Sequence, residues 1–127
     1  MTVAGRDHTY QLRVPLLGKF QLENAATAVA ALEALQDQGH PISDEAIQQG
    51  FVKVVWPCRM EVLGRDPVTV VDGAHNEYSM DALLESLGCY LNFRRLFLVV
   101  GFSRDKSIAK MVSRLAEMNP VVFASRS

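Results

Sequence analysis

Apolar and polar residues change period several times along the chain, and each change predicts an element. Tyr10-Gln11-Leu12-Arg13-Val14 alternates like a half-buried strand, and Pro15 ends it by removing a backbone donor. From Leu22 the spacing turns helical. Leu22, Ala25, Ala26, Val29, Leu32 and Leu35 recur three or four apart, with Gly39 and Pro41 supplying the stop. Ser43, followed by Asp44 and Glu45, reads as the N-cap of a second helix carrying Ala46, Ile47 and Phe51, its acidic residues placed where the helix dipole favours them. Trp56-Pro57 breaks helix. Arg59-Met60-Glu61-Val62-Leu63 then alternates like a strand ahead of a turn at Gly64-Arg65-Asp66-Pro67, and a domain boundary is expected close by.

Beyond Pro67 the pattern is regular. Val68-Thr69-Val70-Val71 reads as a buried strand, Met80, Leu83, Leu84 and Leu87 as a helical stripe closed by Gly88, and Leu96 to Phe102 as a second buried strand. Ile108, Met111, Val112 and Leu115 form another helical stripe, and Val121-Val122-Phe123-Ala124 a third strand. Strand and helix in alternation, with continuously apolar strands, predict an α/β fold: a partial doubly wound, Rossmann-like parallel sheet over residues 68–127. Three strands and two helices leave apolar surface uncovered on at least one side, so the final residue reads as a truncation point.

Composition narrows the function. Thirteen basic residues against 14 acidic ones give a formal charge of −1, spread along the chain, with no footprint for nucleic acid or an anionic membrane. Cys58 and Cys89 match no metal or redox spacing and read as two reduced thiols; no metal site is expected from this chain. The longest apolar runs, such as Leu96-Phe97-Leu98-Val99-Val100, fall far short of a membrane span, and the N-terminus has no signal pattern, so a cytoplasmic protein is expected. The sequence is silent on oligomeric state.

In open parallel sheets, ligands bind beyond the carboxyl ends of the strands. Two predicted strands end in polar clusters, Asp72-Gly73-Ala74-His75-Asn76 and Gly101-Phe102-Ser103-Arg104-Asp105-Lys106, which would share one sheet edge. Each residue also has a plain structural reading. Asp72 or Asn76 would cap the next helix, His75 would be a hydrogen-bonded loop histidine, and Asp105 would cap the later helix beside a solvated Lys106. Arg59 would be an ordinary exposed strand residue. Together, a basic, an acidic and an imidazole group at neighbouring strand ends suit a nucleotide and a carboxylate substrate. No Gly-x-x-x-x-Gly-Lys-Ser/Thr phosphate loop occurs in the sequence.

Leu16-Leu17-Gly18-Lys19-Phe20-Gln21-Leu22-Glu23-Asn24-Ala25-Ala26-Thr27-Ala28 resembles the end of the central ATPase domain of folylpolyglutamate and dihydrofolate synthases in the Mur-ligase superfamily. Trp56-Pro57-Cys58-Arg59-Met60-Glu61 resembles that family's Pro-Gly-Arg-x-Glu linker, Asp72 to Asn76 its C-terminal signature, and Gly101 to Lys106 its later Asp-Lys loop. The resemblance spans essentially the whole chain. It implies that residues 1–57 are the end of the central ATPase domain and linker, and residues 58–127 a truncated C-terminal domain. The sequence departs from the family at Cys58, usually glycine, at Phe20, often histidine, at Glu77, commonly proline, and at Ser107, frequently aspartate.

The resemblance further implies a parent ligase that uses ATP and Mg2+ to join L-glutamate to folate or dihydropteroate through an acyl phosphate. In it, Asn24 would lie against adenine, Arg59 would reach the phosphates, and Asp72 would bind the ribose or the magnesium-water shell. His75 and Lys106 would face the incoming glutamate and the acyl phosphate as the catalytic pair. Domain closure about a hinge near Pro57 would bring Arg59, Asp72, His75 and Lys106 to the phosphates. The rival readings are a peptidoglycan or cyanophycin-type ligase of the same superfamily, and a non-catalytic domain that binds a nucleotide or a partner protein.

Overall fold

A computed structural model describes residues 1–103 and 107–125. The chain forms two compact units, Met1–Val71 and Asp72–Ser127.

The first unit opens with a hairpin that the sequence pattern shows only in part. β1 (Thr2–Ala4) pairs antiparallel with β2 (Thr9–Gln11), and the amide of Leu12 extends the ladder by donating to the Met1 carbonyl. α1 (Phe20–Asp37) and α2 (Asp44–Lys53) follow. Val3, Tyr10, Leu12, Val29 and Ile47 make the core of this unit, with Leu32, Ile42 and Phe51 packed around it. Ser43 caps α2 as expected, its hydroxyl accepting from the Ala46 amide at 3.2 Å.

The buried stripe of α1 differs from the one its leucines indicate. Leu22 and Leu35 are exposed, and the inward face runs Gln21, Ala25, Val29, Glu33. Hydrogen bonding explains the rotation. The buried Glu33 carboxylate accepts from the Arg6 amide at 3.0 Å and lies 3.4 Å from the Tyr10 hydroxyl, with the Arg6 guanidinium 3.6 Å away. Arg6 also binds Asp37, whose carboxyl is held below its ordinary range by that hydrogen bond.

β3 (Glu61–Arg65) and β4 (Val68–Val71) close the first unit as an antiparallel hairpin with Glu61 opposite Val71 and an irregularity between Val62 and Gly64. β3 begins two residues later than the alternation indicates. β4 was expected to pair in parallel with the later strands; its partner is β3, because a loop of only Asp66 and Pro67 permits antiparallel pairing alone.

In the second unit α3 (Glu77–Tyr90), β5 (Phe97–Val100), α4 (Ile108–Ala116) and β6 (Val121–Ala124) follow the predicted alternation. β5 and β6 pair in parallel across α4, from Phe97 opposite Val121 to Val100 opposite Ala124, which is the α/β grammar expected of this stretch. Met80, Met111 and Leu115 form the core between the helices, with Leu98 and Val100 packed on it. The other face of β5 is uncovered: Phe97 and Val99 are 57% and 79% exposed. Arg114 Nε to Asp81 at 2.7 Å and Lys110 to Glu77 at 3.1 Å tie α4 to α3 at the surface. No helix among the described residues is long and apolar enough to cross a membrane.

The hydroxyl of Tyr10 titrates above its ordinary 10.0, raised first by burial and then by the charge of Glu33. An acid whose folded pKa is raised contributes stability that is intact below the unfolded value and lost as pH rises through the folded one. Alkaline unfolding of the first unit should therefore begin above about pH 10, and Tyr10→Phe should move it upward. Circular dichroism against pH checks this, and an unmoved alkaline midpoint would remove Tyr10 as the cause.

Candidate functional site

Two clusters carry the residues singled out from the sequence. The first is built on the N-terminus of α1. Gly18 has φ +112°, and a Cβ there would lie 2.4 Å from the Phe20 ring, so only glycine lets the chain turn into α1 with Phe20 folded back on it. Asn24 follows one turn after Phe20, exposed to solvent, and its side-chain nitrogen donates to Gln21 Oε1 at 2.9 Å.

Arg59 joins this cluster from the segment before β3. Its guanidinium carbon lies 4.9 Å from the Phe20 ring centroid and 5.9 Å from that of Trp56. Both distances lie within cation–π range. Arg59 is thus seated on two rings and is not an ordinary strand residue. The structure brings it to Phe20 at the start of α1, one helical turn before Asn24. On either side of Arg59 the backbone is left-handed, with Cys58 at φ 56° and Met60 at φ 48°. Met60 is buried beneath this bend, and the Cys58 amide donates to Glu61 Oε2 at 2.8 Å. Glu61 thereby closes the turn that presents Arg59.

The second cluster is the loop entering α3. Asp72 is half-buried and accepts from the Ala74 amide at 2.7 Å, folding the loop into an Asx turn. Asn76 is the N-cap, forming a reciprocal capping box with Ser79. The capping role left open between Asp72 and Asn76 therefore belongs to Asn76. His75 is exposed, and its Nδ1 lies 2.9 Å from the Gly73 carbonyl. A carbonyl only accepts, so Nδ1 donates in this contact, and in the neutral tautomer that makes it Nε2 is the nitrogen left to accept. This tautomer suits a base or an orienting acceptor.

Lys106, with Arg104 and Asp105, lies outside the described residues. Among the described residues no group of three or more His, Cys, Asp or Glu is placed to hold a metal ion. Phe20, Trp56 and Gln21 were not among the residues picked from the sequence as candidates. For Gln21 the signal was its i, i+3 spacing to Asn24, which puts the two amides on one helix face.

A sequence profile described as Mur ligase, glutamate ligase domain matches residues 58–127. The chain belongs to this Mur ligase family. Its first unit has relatives as well. A probable bifunctional folylpolyglutamate synthase/dihydropteroate synthase of Halobacterium salinarum is 39% identical over 91% of the chain and 14% of its own length. The dihydrofolate synthase/folylpolyglutamate synthase of Bacillus subtilis is 35% identical over 90% of the chain and 27% of its own length. The folylpolyglutamate synthase of Mycobacterium tuberculosis, solved in complex with ADP, superposes with a TM-score of 0.82 at 29% identity, covering 94% of this chain and 26% of that one. This Mur ligase chain thus spans roughly a quarter or less of the length of these relatives.

The left-handed conformation at Cys58 is strained for any residue with a Cβ. Cys58→Gly should stabilise the first unit by about 0.5–1 kcal/mol, the strain relief less the extra backbone entropy that glycine loses on folding. Urea unfolding of both proteins measures the difference, and a loss of stability would mean that the thiol contributes packing the backbone argument ignores.

Proposed function

We propose that this chain is part of an ATP-dependent ligase that adds L-glutamate to folate or dihydropteroate. Residues 1–57 are the end of its ATPase domain and the linker, and residues 58–127 the opening part of its glutamate ligase domain. The observation that carries this reading is the seating of Arg59 on Phe20 at the start of α1, one turn before the exposed Asn24. A guanidinium and an exposed amide on one small surface fit the phosphates and the base of a nucleotide. The likeness to an ADP-bound folylpolyglutamate synthase over 94% of the chain supports it.

In this reading Asn24 meets adenine and Arg59 the phosphates, while Asp72 binds the ribose or the water shell of Mg2+. Mg2+ would be held mainly by residues elsewhere in the enzyme. The substrate carboxylate would take the terminal phosphoryl group of ATP to give an acyl phosphate and ADP, with bound Mg2+ supplying charge neutralisation at the phosphates. The glutamate amine then attacks the acyl carbon and phosphate departs. His75 Nε2 orients or deprotonates that amine, and Lys106 offsets the acyl-phosphate charge. The enzyme works in the cytoplasm on these small molecules. A peptidoglycan or cyanophycin ligase is less well supported, given the folate-type relatives of both units.

The 127-residue chain, lacking a phosphate loop, should show no ATP turnover. The complete ligase should incorporate labelled L-glutamate in an ATP-dependent reaction with dihydropteroate or tetrahydrofolate, assayed side by side. No incorporation with either acceptor would overturn the proposal. His75→Ala in that enzyme should lower glutamate use by roughly 10²-fold with a smaller effect on ATP. Unchanged glutamate kinetics would leave His75 as a structural loop residue.

A further inference from the structure

Gln21 lies on the buried stripe of α1, 5% exposed, among residues that are otherwise mostly apolar. Its Oε1 accepts from Asn24 Nδ2 at 2.9 Å, while its buried Nε2 has no hydrogen-bond partner. An amide half of which is buried unpaired destabilises the fold, and a methionine would fill the same space without that cost. The carbonyl half therefore explains what packing does not.

We infer that Gln21 is a positioning residue: it fixes the orientation of the Asn24 amide, and thereby makes the site select a purine with an amino group over one with an oxo group. This rests on the placement of Asn24 against the base proposed above. An exposed asparagine amide has two orientations of nearly equal energy. Here, rotating Asn24 alone would set its Oδ1 against Gln21 Oε1, two acceptors facing each other. Asn24 therefore keeps Oδ1 available as an acceptor, with one Nδ2 proton committed to Gln21 and the other still to give. Adenine offers a 6-amino donor beside the N7 acceptor and matches that pair, whereas hypoxanthine and guanine offer two acceptors. Reversing both amides together would put Gln21 Nε2 on Asn24 Oδ1, bury Oε1 unpaired, and set the Asn24 donor against the 6-amino group and its acceptor against N7. Only the first arrangement therefore matches adenine.

The test compares kcat/KM for ATP and ITP in the complete ligase carrying Gln21→Met, Gln21→Glu or Asn24→Ala, with side-chain amide NMR of the 127-residue chain alongside. The wild type should favour ATP by roughly 10- to 100-fold, the discrimination expected of one bidentate amide–base pair. Gln21→Met should melt no lower than wild type and lose most of that preference through KM for ATP. Gln21→Glu, whose carboxylate only accepts, should keep it. In the NMR spectrum one Asn24 Nδ2 proton should lie downfield and show a through-space contact to Gln21 that vanishes in Gln21→Met. An unchanged ATP/ITP ratio in Gln21→Met, alongside a reduced one in Asn24→Ala, overturns the inference and leaves the base placement standing. Full ATP use by Asn24→Ala overturns the base placement and the inference with it. A wild-type preference for ITP, or no Asn24–Gln21 contact in the spectrum, also overturns the inference.

Discussion

The buried carboxylate of Glu33 sets the rotation of α1, and the cluster of Phe20, Asn24 and Arg59 depends on that rotation. Its oxygens hold the Arg6 amide and face the Tyr10 hydroxyl, so the first hairpin and α1 are joined through a polar contact inside an apolar core. A carboxylate so placed must keep its partners, which leaves α1 little freedom to turn about its axis. Stepping back by fours from Glu33 gives Val29, Ala25 and Gln21, all inward. Phe20 and Asn24 then fall where Arg59 can seat and a ligand can reach.

Arg59 depends on a second constraint, the chain path between α2 and β3. Cys58 and Met60 adopt left-handed backbone on either side of it, and Glu61 braces the bend through the Cys58 amide before entering the ladder opposite Val71. The two-residue loop at Asp66 and Pro67 then returns the chain antiparallel, so the first unit ends at Val71 and the loop with Asp72 and His75 begins directly after it. Two local geometries thus place most of the residues on which the proposed chemistry rests.

Much of this was legible in the residues. Ser43 capped where expected, the strand–helix alternation after Leu96 appeared as read, and the Mur-ligase resemblance led to the family that residues 58–127 match. Periodicity failed where polar groups are buried. Leucines at positions 22 and 35 marked a face that Gln21 and Glu33 occupy instead, because hydropathy cannot register a hydrogen bond to a distant hairpin. The partner of β4 was missed for a similar reason: apolar content signals burial, but loop length decides pairing direction. Phe20 stood out in sequence only as a departure from histidine, and its use as a ring beneath Arg59 depends on backbone that no motif encodes.

The seat of Arg59 bears on preorganisation. A cation–π contact is made to the ring face and consumes no hydrogen-bond acceptor or donor, so it leaves the guanidinium N–H groups without a claim from the rings. The rings of Phe20 and Trp56 can therefore restrain the side chain without using the donors a phosphate would need. A flexible arginine surrenders on the order of 0.5–1.5 kcal/mol of rotamer entropy when it clamps an anion. In Arg59 the ring contacts restrain the side chain before any ligand arrives, so in the proposed role more of its attraction for a phosphate group would appear as affinity.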